Sequence, residues 1–225
     1  MERALAVVLV SGGLDSCVAA ALANREHELA FLHLKYGQRT ESREEKAFFD
    51  LCEHFRPKFR MVTEVPALKA IGGSALTDFG ISVPEGEPDP NRIPITYVPF
   101  RNAHFLCVAV SWAEVLGARK IFIGANELDF SGYPDCRRSF FEAFERVIEE
   151  GTRPETRLRI ETPLINLTKA QIVRLGKELG VPFHLTWSCY RNERIACGRC
   201  ESCRLRLKAF SEAGLEDPLP YEKGL

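Results

Sequence analysis

Two hydroxyl groups, two glycines and a carboxylate crowd into six residues near the start of the chain, in the order Ser11-Gly12-Gly13-Leu14-Asp15-Ser16. An apolar run over 4–10 precedes them and an alanine-rich run over 17–23 follows, which predicts a buried strand, a tight turn and a helix. Adjacent glycines let the backbone approach a ligand, and the N–H groups at a helix N-terminus attract anions. The loop is therefore predicted to bind phosphate, although serine and glycine also occur in ordinary strand-to-helix turns.

The loop matches neither of the two common nucleotide motifs. No lysine follows the glycines as in a Walker loop, and the glycine spacing differs from the dinucleotide fingerprint. The string SGGLDS instead resembles the pyrophosphate-binding loop of the ATP pyrophosphatase (PP-loop) family. Those enzymes cut ATP between its α and β phosphates and leave AMP on a substrate oxygen. The family includes synthetases and RNA-modifying enzymes, so the loop alone does not indicate a product.

Four cysteines near the end of the chain form a second pattern, Cys189-x7-Cys197-x2-Cys200-x2-Cys203. Four thiolates at such short spacing suit tetrahedral coordination of Zn²⁺ in a small knuckle. Disulfides are not expected in a reducing compartment, whereas an iron–sulfur cluster, which also uses four cysteines, remains the alternative. With all four ligands supplied by protein, the zinc is predicted to be structural.

Polar side chains follow two further predicted elements. Arg101 and Asn102 come after a long loop, and Asn126, Asp129 and a Ser-Gly-Tyr-Pro-Asp run over 131–135 come after the predicted fourth strand. In open α/β sheets, ligands bind beyond the carboxyl ends of the strands. Both segments are therefore predicted to face the phosphate loop, although the 131–135 run is also typical of a plain turn.

Apolar periodicity predicts an α/β fold, a Rossmann-like open parallel sheet with helices on both faces. Strands are predicted over 4–10, 29–37, 58–65, 120–124 and 158–160, and helices over 17–23, 41–55, 102–116, 138–150, 168–179 and 202–213. Residues 1–185 form the predicted nucleotide-binding domain, and 186–225 form a cysteine-rich segment packed on it. The alternation of predicted strands and helices stops over 66–100. This segment is therefore predicted to be a lid-like loop that is partly disordered without ligand. The proline-rich end is predicted to be loose.

Composition narrows the class of function. The 225 residues are 45% apolar and 27% charged, as in a globular domain, and the formal net charge of −1 gives no support for bulk electrostatic binding of nucleic acid. Glycines and Asp15 interrupt the first apolar run, so no secretory signal is expected, and no run approaches the ~18 residues of a membrane-spanning helix. We therefore expect a cytoplasmic protein with a small-molecule substrate and reduced cysteines.

Short motifs across nearly the whole chain resemble the 7-cyano-7-deazaguanine synthase family of queuosine precursor biosynthesis. They are SGGLDS (11–16), YGQR (36–39), GGSALT (72–77), VPFRN (98–102), SGYPDCR (131–137), ETPL (161–164), TWSCY (186–190) and CGRCESCRLR (197–206). The sequence departs from that family's pattern at Thr40, Phe100 and Arg138-Ser139, where a His, a small residue and Pro-Glu are common.

The resemblance implies an adenine nucleotide alpha hydrolase-like fold. It also implies conversion of 7-carboxy-7-deazaguanine and ammonia to the nitrile through adenylated intermediates and an amide, with ATP cut to AMP and pyrophosphate. Structural Zn²⁺, one per chain on the four cysteines, Mg²⁺ with the ATP, and a homodimer are implied as well.

The site residues follow from the matched motifs. The implied ATP contacts are Val10, Ser11, Gly12, Gly13, Leu14, Asp15, Ser16 and Cys17. Ser11 and Ser16 are expected to stabilise the leaving pyrophosphate, Asp15 to orient the loop or bind Mg²⁺, and Arg101 to pair with an anionic group. The implied substrate contacts are Tyr36, Gln38, Arg39, Asn102, Asn126, Asp129, Tyr133 and Asp135.

Two other functions fit parts of the pattern. One is an enzyme that adenylates an RNA base, such as a tRNA thiolase or a lysidine synthetase, for which a basic appendage or RNA-binding module would be expected. The other is a non-catalytic relative that binds a nucleotide and zinc. The intact SGGLDS loop favours an enzyme over such a relative.

Overall fold

The computed structural model describes residues 3–86, 89, 92–128 and 133–223. Five parallel strands form a sheet in the order β3-β2-β1-β4-β5. Their bounds are Leu5–Leu9 (β1), Glu28–Lys35 (β2), Phe59–Glu64 (β3), Lys120–Ile123 (β4) and Arg159–Glu161 (β5). The predicted parallel sheet is confirmed. Because β1 pairs with both β2 and β4, the strand order reverses beside β1, and the carboxyl ends of β1 and β4 border the crevice where such sheets bind ligands.

Helices cover both faces of the sheet, as predicted. Their bounds are Leu14–Asn24 (α1), Glu41–Phe55 (α2), Ala67–Ile71 (α3), Arg101–Leu116 (α4), Arg138–Gly151 (α5), Lys169–Glu178 (α6) and Glu201–Ala213 (α7). Side chains alternate along β1, so Ala6 and Val8 pack with α1, α2, α6 and α7, whereas Val7 and Leu9 pack with α4 and α5. Within the described ranges, every helix is too short or too polar to cross a membrane.

The ends of α6 show how local sequence sets an element. The Thr168 hydroxyl accepts a hydrogen bond from the Gln171 N–H, and the Gln171 side chain accepts one from the Thr168 N–H, which makes a capping box. Gly180 follows the helix with φ of 69°, a conformation that favours glycine. These two residues bound the helix predicted over 168–179, and Lys169 is thereby fixed at its first position.

The segment over 66–100 contains α3 and a series of turns. Ala75, Leu76, Val83 and Val98 are buried, and the Ala75 N–H donates to the Ile95 carbonyl at 2.8 Å. The Arg39 guanidinium donates to three carbonyls of this segment, those of Ala75, Asp78 and Ile81. Much of the segment is therefore packed against the body of the protein, and its action as a lid stays a prediction.

The predicted loose tail is wrong. Leu219 is buried, and the backbone of Ala196 exchanges hydrogen bonds with Pro220 and Glu222. Asp217 forms two hydrogen bonds with the Arg206 guanidinium, at 2.7 and 3.0 Å, where both side chains are at most 3% exposed. A buried guanidinium needs a carboxylate partner. Arg206 and Asp217 are eleven residues apart, and the proline-rich composition of the tail does not indicate that they pair.

Replacing Asp217 with alanine should lower the free energy of unfolding by about 3 kcal/mol or more, because Arg206 would keep a buried charge without its partner. The midpoint of urea unfolding measures the change. The matched control is Asp50→Ala, which removes the more exposed Lys46–Asp50 pair on α2 and should cost less than about 1 kcal/mol. Equal losses in the two variants would contradict a supporting role for the tail.

Candidate active site

The phosphate-binding loop joins β1 to α1 and is held by its own side chains. The Ser16 hydroxyl donates to the Gly13 carbonyl at 3.0 Å, and the Ser11 hydroxyl donates to Ser16 Oγ at 3.2 Å. Gly13 precedes α1 and supplies no side-chain cap, so the first-turn N–H groups remain available to an anion. The loop therefore has the geometry predicted for a phosphate site.

Backbone contacts on two sides require glycines at this site. A Cβ on Gly12 would lie 2.7 Å from the Glu44 carbonyl oxygen, and Gly12 has a φ of 85°. A Cβ on Gly124, just after β4, would lie 2.7 Å from the Asp15 carbonyl carbon. The Trp187 N–H donates to the Gly12 carbonyl at 2.8 Å. The loop is thus fixed by α2, by the end of β4 and by the C-terminal segment.

Asp15 forms an ion pair with Lys169 at the start of α6. The second carboxylate oxygen of Asp15, Oδ1, is buried and has no hydrogen-bond partner. An unpartnered buried carboxylate oxygen beside a phosphate site is a ligand that Mg²⁺ accepts, since Mg²⁺ with a nucleotide uses one or two carboxylates plus phosphate oxygens. Lys169 is a cation at the phosphate site that no local motif in the sequence indicates.

A cavity of about 240 Å³ opens beside the loop. Its walls come from β1, the loop, the end of β2, α2, α4, the end of β4, α6 and the C-terminal segment. The predicted site residues that line it are Val10, Ser11, Gly13, Leu14, Asp15, Ser16, Tyr36, Arg101, Asn102, Asn126 and Tyr133. The structure thus brings the N-terminal loop and both predicted polar segments to one cavity.

Other predicted residues lie elsewhere. Among the described residues, Gly12, Cys17, Gln38, Arg39 and Asp135 do not line the cavity, and Asp129 lies outside the residues that the structure describes. The Cys17 thiol belongs to the core, where burial raises its pKa to about 12. Arg39 is occupied by the carbonyls of the 66–100 segment and stacks on Phe79. We therefore assign Arg39 a positioning role in place of the predicted substrate contact.

Arg101 contributes a cation to the wall of the same cavity. Its guanidinium donates to the Tyr36 hydroxyl at 3.1 Å and stacks on the rings of Tyr36 and Phe105. Within the described part of the chain it forms no salt bridge. Arginine stays protonated in proteins, so this wall offers a positive charge to an anionic ligand.

Asp135 fixes the start of α4 from a distant part of the chain. Its carboxylate accepts a hydrogen bond from the Asn102 N–H at 2.8 Å, and its own carbonyl accepts one from the Asn102 side chain at 2.9 Å. Burial raises the pKa of Asp135, and the hydrogen bond from Asn102 opposes this. Asp135 therefore caps α4 and positions Arg101 and Asn102, and we assign it this role in place of the predicted substrate contact.

Two predicted polar residues at the cavity are held by the surrounding segments. The Asn126 side chain donates to the carbonyls of Leu164 and Leu167. The Tyr133 hydroxyl lies 2.9 Å from Thr96 Oγ1, and Thr96 donates to the Glu201 carboxylate at 2.7 Å. Thr96 and Glu201 are both buried. The position of Tyr133 is therefore tied to the first turn of α7.

Gln38 connects the end of β2 to a carboxyl group that sequence analysis missed. Its side-chain oxygen accepts from the Tyr36 N–H at 2.9 Å, and its side-chain nitrogen donates to Glu44 at 3.0 Å. Glu44 lines the cavity, and burial raises its pKa to about 7, against the hydrogen bonds from Gln38 and Thr40. Gln38 thus positions Glu44 rather than lining the cavity itself.

The four cysteines of the predicted zinc knuckle converge. The Sγ atoms of Cys189, Cys197, Cys200 and Cys203 all lie within 4.8 Å of one another, and all four residues are buried. Thiol hydrogen bonds from Cys200 and Cys203 and backbone N–H groups of Cys197 and Asn192 lower the pKa of Cys189. Four close sulfurs with N–H donors fit Zn²⁺, whose bonds to sulfur measure about 2.3 Å. The predicted cluster is confirmed as a possible metal site.

Further cavity residues come from this C-terminal segment and from α7. They are Trp187, Ser188, Tyr190, Ser202, Leu205 and Arg206. The TWSCY motif contains the first three, so the motif could have indicated them, but only the folded chain shows that they face the phosphate loop. The knuckle therefore supplies a wall of the cavity.

Comparison with known proteins agrees with this geometry. The protein-family model described as "Queuosine biosynthesis protein QueC" matches residues 5–214 of this chain. The proteins named 7-cyano-7-deazaguanine synthase from Chlorobaculum tepidum and Acidobacterium capsulatum are 56% and 55% identical, covering 96% and 98% of this chain and 96% and 97% of their own lengths.

Among solved structures, an NMN synthetase from Francisella tularensis matches with a TM-score of 0.51 and 17% identity, covering 96% of this chain and 79% of that one. At that identity the match supports the fold alone. The family match spans the phosphate loop, the cavity walls and the cysteine cluster. The chain belongs to the queuosine biosynthesis protein QueC family.

Proposed function

We propose that this protein makes 7-cyano-7-deazaguanine from 7-carboxy-7-deazaguanine, ammonia and ATP, with release of AMP and pyrophosphate. The observation that supports this proposal best is that a phosphate loop and Arg101, which forms no salt bridge with any described residue, line one cavity in a member of this family. The relatives' shared name, over nearly the full length of the chain, disfavours both an RNA-modifying enzyme and a non-catalytic relative.

The chemistry requires two activations of one carbon. A carboxylate is a poor electrophile, so its oxygen attacks the α phosphorus of ATP, pyrophosphate leaves, and an acyl adenylate forms. Ammonia then displaces AMP and gives the amide. A second ATP activates the amide oxygen, and loss of AMP gives the nitrile. AMP is thus the leaving group from carbon in both halves.

Ser11, Asp15, Ser16 and Lys169 serve the phosphate end of this reaction. The first-turn N–H groups of α1 donate to the departing pyrophosphate, and the two hydroxyls do so after rotating away from their partners within the loop. The Lys169 cation neutralises part of the pyrophosphate charge. The free Oδ1 of Asp15 would hold Mg²⁺, which supplies further charge neutralisation when bound. These residues act on the bond that breaks in ATP.

Arg101, Asn102, Asn126 and Tyr133 serve the substrate end. The Arg101 guanidinium pairs with the carboxylate of 7-carboxy-7-deazaguanine, since its planar donors match two carboxylate oxygens. Asn102, Asn126 and Tyr133 line the same cavity and offer polar groups to the heterocycle. The ring of Tyr36, stacked with Arg101, gives an apolar surface for the base.

The remaining proposals concern the whole chain. We infer that 1–185 carries the nucleotide site and that 186–225, with structural Zn²⁺ on its four cysteines, packs on it as part of the same domain. The free cysteines suit a reducing cytoplasm. We also propose a homodimer, as the family resemblance implies, and sedimentation velocity would test it.

Incubation with 7-carboxy-7-deazaguanine, ammonium, ATP and Mg²⁺ tests the main proposal. We expect the nitrile by mass spectrometry, with AMP and pyrophosphate formed only when the deazapurine is present. Formation of ADP and phosphate, or no turnover that depends on the deazapurine, would refute the proposed reaction. Omitting ammonium should stop nitrile formation and leave the first activation intact.

Replacing Arg101 with lysine should raise KM for 7-carboxy-7-deazaguanine about tenfold to hundredfold, because a bidentate charge-assisted contact is lost. Steady-state rates at saturating ATP and ammonium measure this. Arg119→Lys, at an exposed position before β4, is the matched control and should behave as wild type. A rise in KM for ATP alone would instead place Arg101 against the triphosphate.

A further inference from the structure

Both halves of the proposed reaction require nitrogen to lose protons. Ammonium is the main form of ammonia at neutral pH, and it has no lone pair with which to attack carbon until it loses a proton. The adenylated amide must also lose its nitrogen protons as the triple bond forms. The backbone N–H groups of the loop cannot take these protons because they are donors. Arg101 cannot take them because arginine stays protonated.

Few groups at the cavity can accept a proton. Among the described lining residues, only Asp15 and Glu44 carry carboxylates. Asp15 is paired with Lys169 at the phosphate end. Glu44 is left as the proton acceptor, and the charge of Arg101 acts on its carboxyl group.

Two hydrogen bonds hold the carboxyl group of Glu44. Gln38 donates to Oε2 at 3.0 Å, and Thr40 donates to Oε1 at 2.8 Å. The Tyr36 N–H fixes the Gln38 amide so that its nitrogen must point at Glu44. Each carboxylate oxygen accepts one of these bonds, so each keeps acceptor capacity for a ligand in the cavity.

Glu44 also lies close to the reacting end of the nucleotide site. Its backbone carbonyl abuts Gly12, where a Cβ would approach to 2.7 Å. Its side chain lines the same cavity as Ser11 and Arg101. A small cation bound by Glu44 would therefore lie in the cavity that the phosphate loop and Arg101 also line.

We propose that Glu44 forms the ammonium subsite: its carboxylate binds the ammonium ion beside the activated carboxyl carbon and accepts protons from nitrogen in both halves of the reaction. The inference rests on the proposed function and adds the site of its second substrate.

Protons and electron pairs are conserved in both halves of the reaction. Ammonium gives one proton to Glu44, the nitrogen lone pair forms a bond to the carboxyl carbon, and the carbon–oxygen bond breaks with its electron pair on AMP. Glu44 releases its first proton to water, then takes a second proton from the newly bonded nitrogen, which becomes the amide, and passes that proton to water as well. In the second half, Glu44 takes a proton from the adenylated amide nitrogen, water takes another, and AMP again leaves with the carbon–oxygen electron pair.

The surroundings of Glu44 suit this role. Burial raises its pKa to about 7, so it can both accept and release a proton near neutral pH. The charged and titratable groups that face it are Arg101 from α4, Tyr36 after β2 and Glu41 on α2. Arg101 favours the carboxylate form, whereas Glu41 opposes it. The ionised form is the active one, so activity with ammonium should fall as pH drops below about 7.

The variant Glu44→Gln separates activation of the substrate carboxylate from the attack by ammonia. Exchange of pyrophosphate into ATP, driven by 7-carboxy-7-deazaguanine without ammonium, reports activation alone and should stay within about threefold of wild type. The kcat/KM for ammonium should fall about 100-fold, as for loss of a general base. Hydroxylamine, which is uncharged at neutral pH, should restore turnover to the hydroxamate. Glu45→Gln, on the next residue of α2, is the matched control and should behave as wild type.

Wild-type enzyme gives a test that needs no variant. If Glu44 deprotonates bound ammonium, kcat/KM for total ammonia levels off above about pH 7. If the enzyme takes up free ammonia, the value keeps rising toward the pKa of ammonium, and the proposal is overturned. Equal loss of exchange and of amide formation in Glu44→Gln, or no response to hydroxylamine, also overturns it. Absence of deazapurine-dependent exchange in wild type would instead defeat the proposed function.

Discussion

Replacing Gly124 with alanine should reduce kcat/KM for ATP at least about 100-fold, because the new Cβ would lie 2.7 Å from the Asp15 carbonyl carbon and 2.8 Å from the Ser16 nitrogen. Both contacts are with backbone, so no side-chain rotation relieves them. The first turn of α1 must move away from β4, and a shift of about 1 Å is enough to misplace the donors to pyrophosphate. The expected cost in stability is about 1–3 kcal/mol.

Pyrophosphate exchange and urea unfolding measure the two effects of Gly124→Ala. The matched control is Gly151→Ala at the end of α5, where a Cβ meets no atom within 4 Å. That variant should keep full activity and wild-type stability. An active Gly124→Ala enzyme would show that the contact between the end of β4 and α1 does not set the position of the loop.

Removing the proposed zinc should cause the largest loss of stability. Cys200→Ser deletes one of four buried sulfurs, and structural zinc contributes on the order of 10 kcal/mol to the folding of small metal-binding segments. We expect loss of the metal, rapid hydrogen exchange over 186–223 and loss of activity, because Trp187 then no longer fixes the Gly12 carbonyl. A chelator acting on the wild-type enzyme should give the same result.

Metal analysis and hydrogen-exchange mass spectrometry measure these effects. Cys107→Ser, an exposed thiol on α4, is the matched control and should keep its zinc and activity. A colourless protein with about one zinc per chain is expected, whereas a brown protein with iron would identify a cluster instead. If Cys200→Ser stayed folded and lost only chemistry, the metal would not be structural.

Much of the fold is predictable because apolar periodicity is local information. The helix over 41–55 is predicted with the bounds that the structure gives, and all five strands lie within two residues of their predicted ends. The cysteine cluster is predictable because its four ligands lie within fifteen residues. Residues that lie so close together in the sequence are also close together in space.

The remaining site residues depend on contacts between distant parts of the chain. Lys169 meets Asp15 across 154 residues, and no pattern around Lys169 marks it as more than the first residue of a helix. Glu44 lies in the first turn of α2, where an acidic residue is already favoured by the helix dipole, so its type gives no signal of chemistry. Arg39 and Asp135 are the opposite case. They belong to family motifs and are predicted to contact the substrate, but in the structure they form hydrogen bonds that hold other segments of the chain in place.

The cavity is built from segments that lie far apart in the sequence. The phosphate loop lies within the first sixteen residues, whereas one wall comes from Trp187, Tyr190 and Arg206, and Arg206 is itself held by Asp217. During synthesis, the loop therefore leaves the ribosome long before the residues that complete its surroundings. A chain that stops before Trp187 has the pyrophosphate loop without this wall, so we expect cleavage of ATP to begin only after the segment over 187–217 has been made and folded.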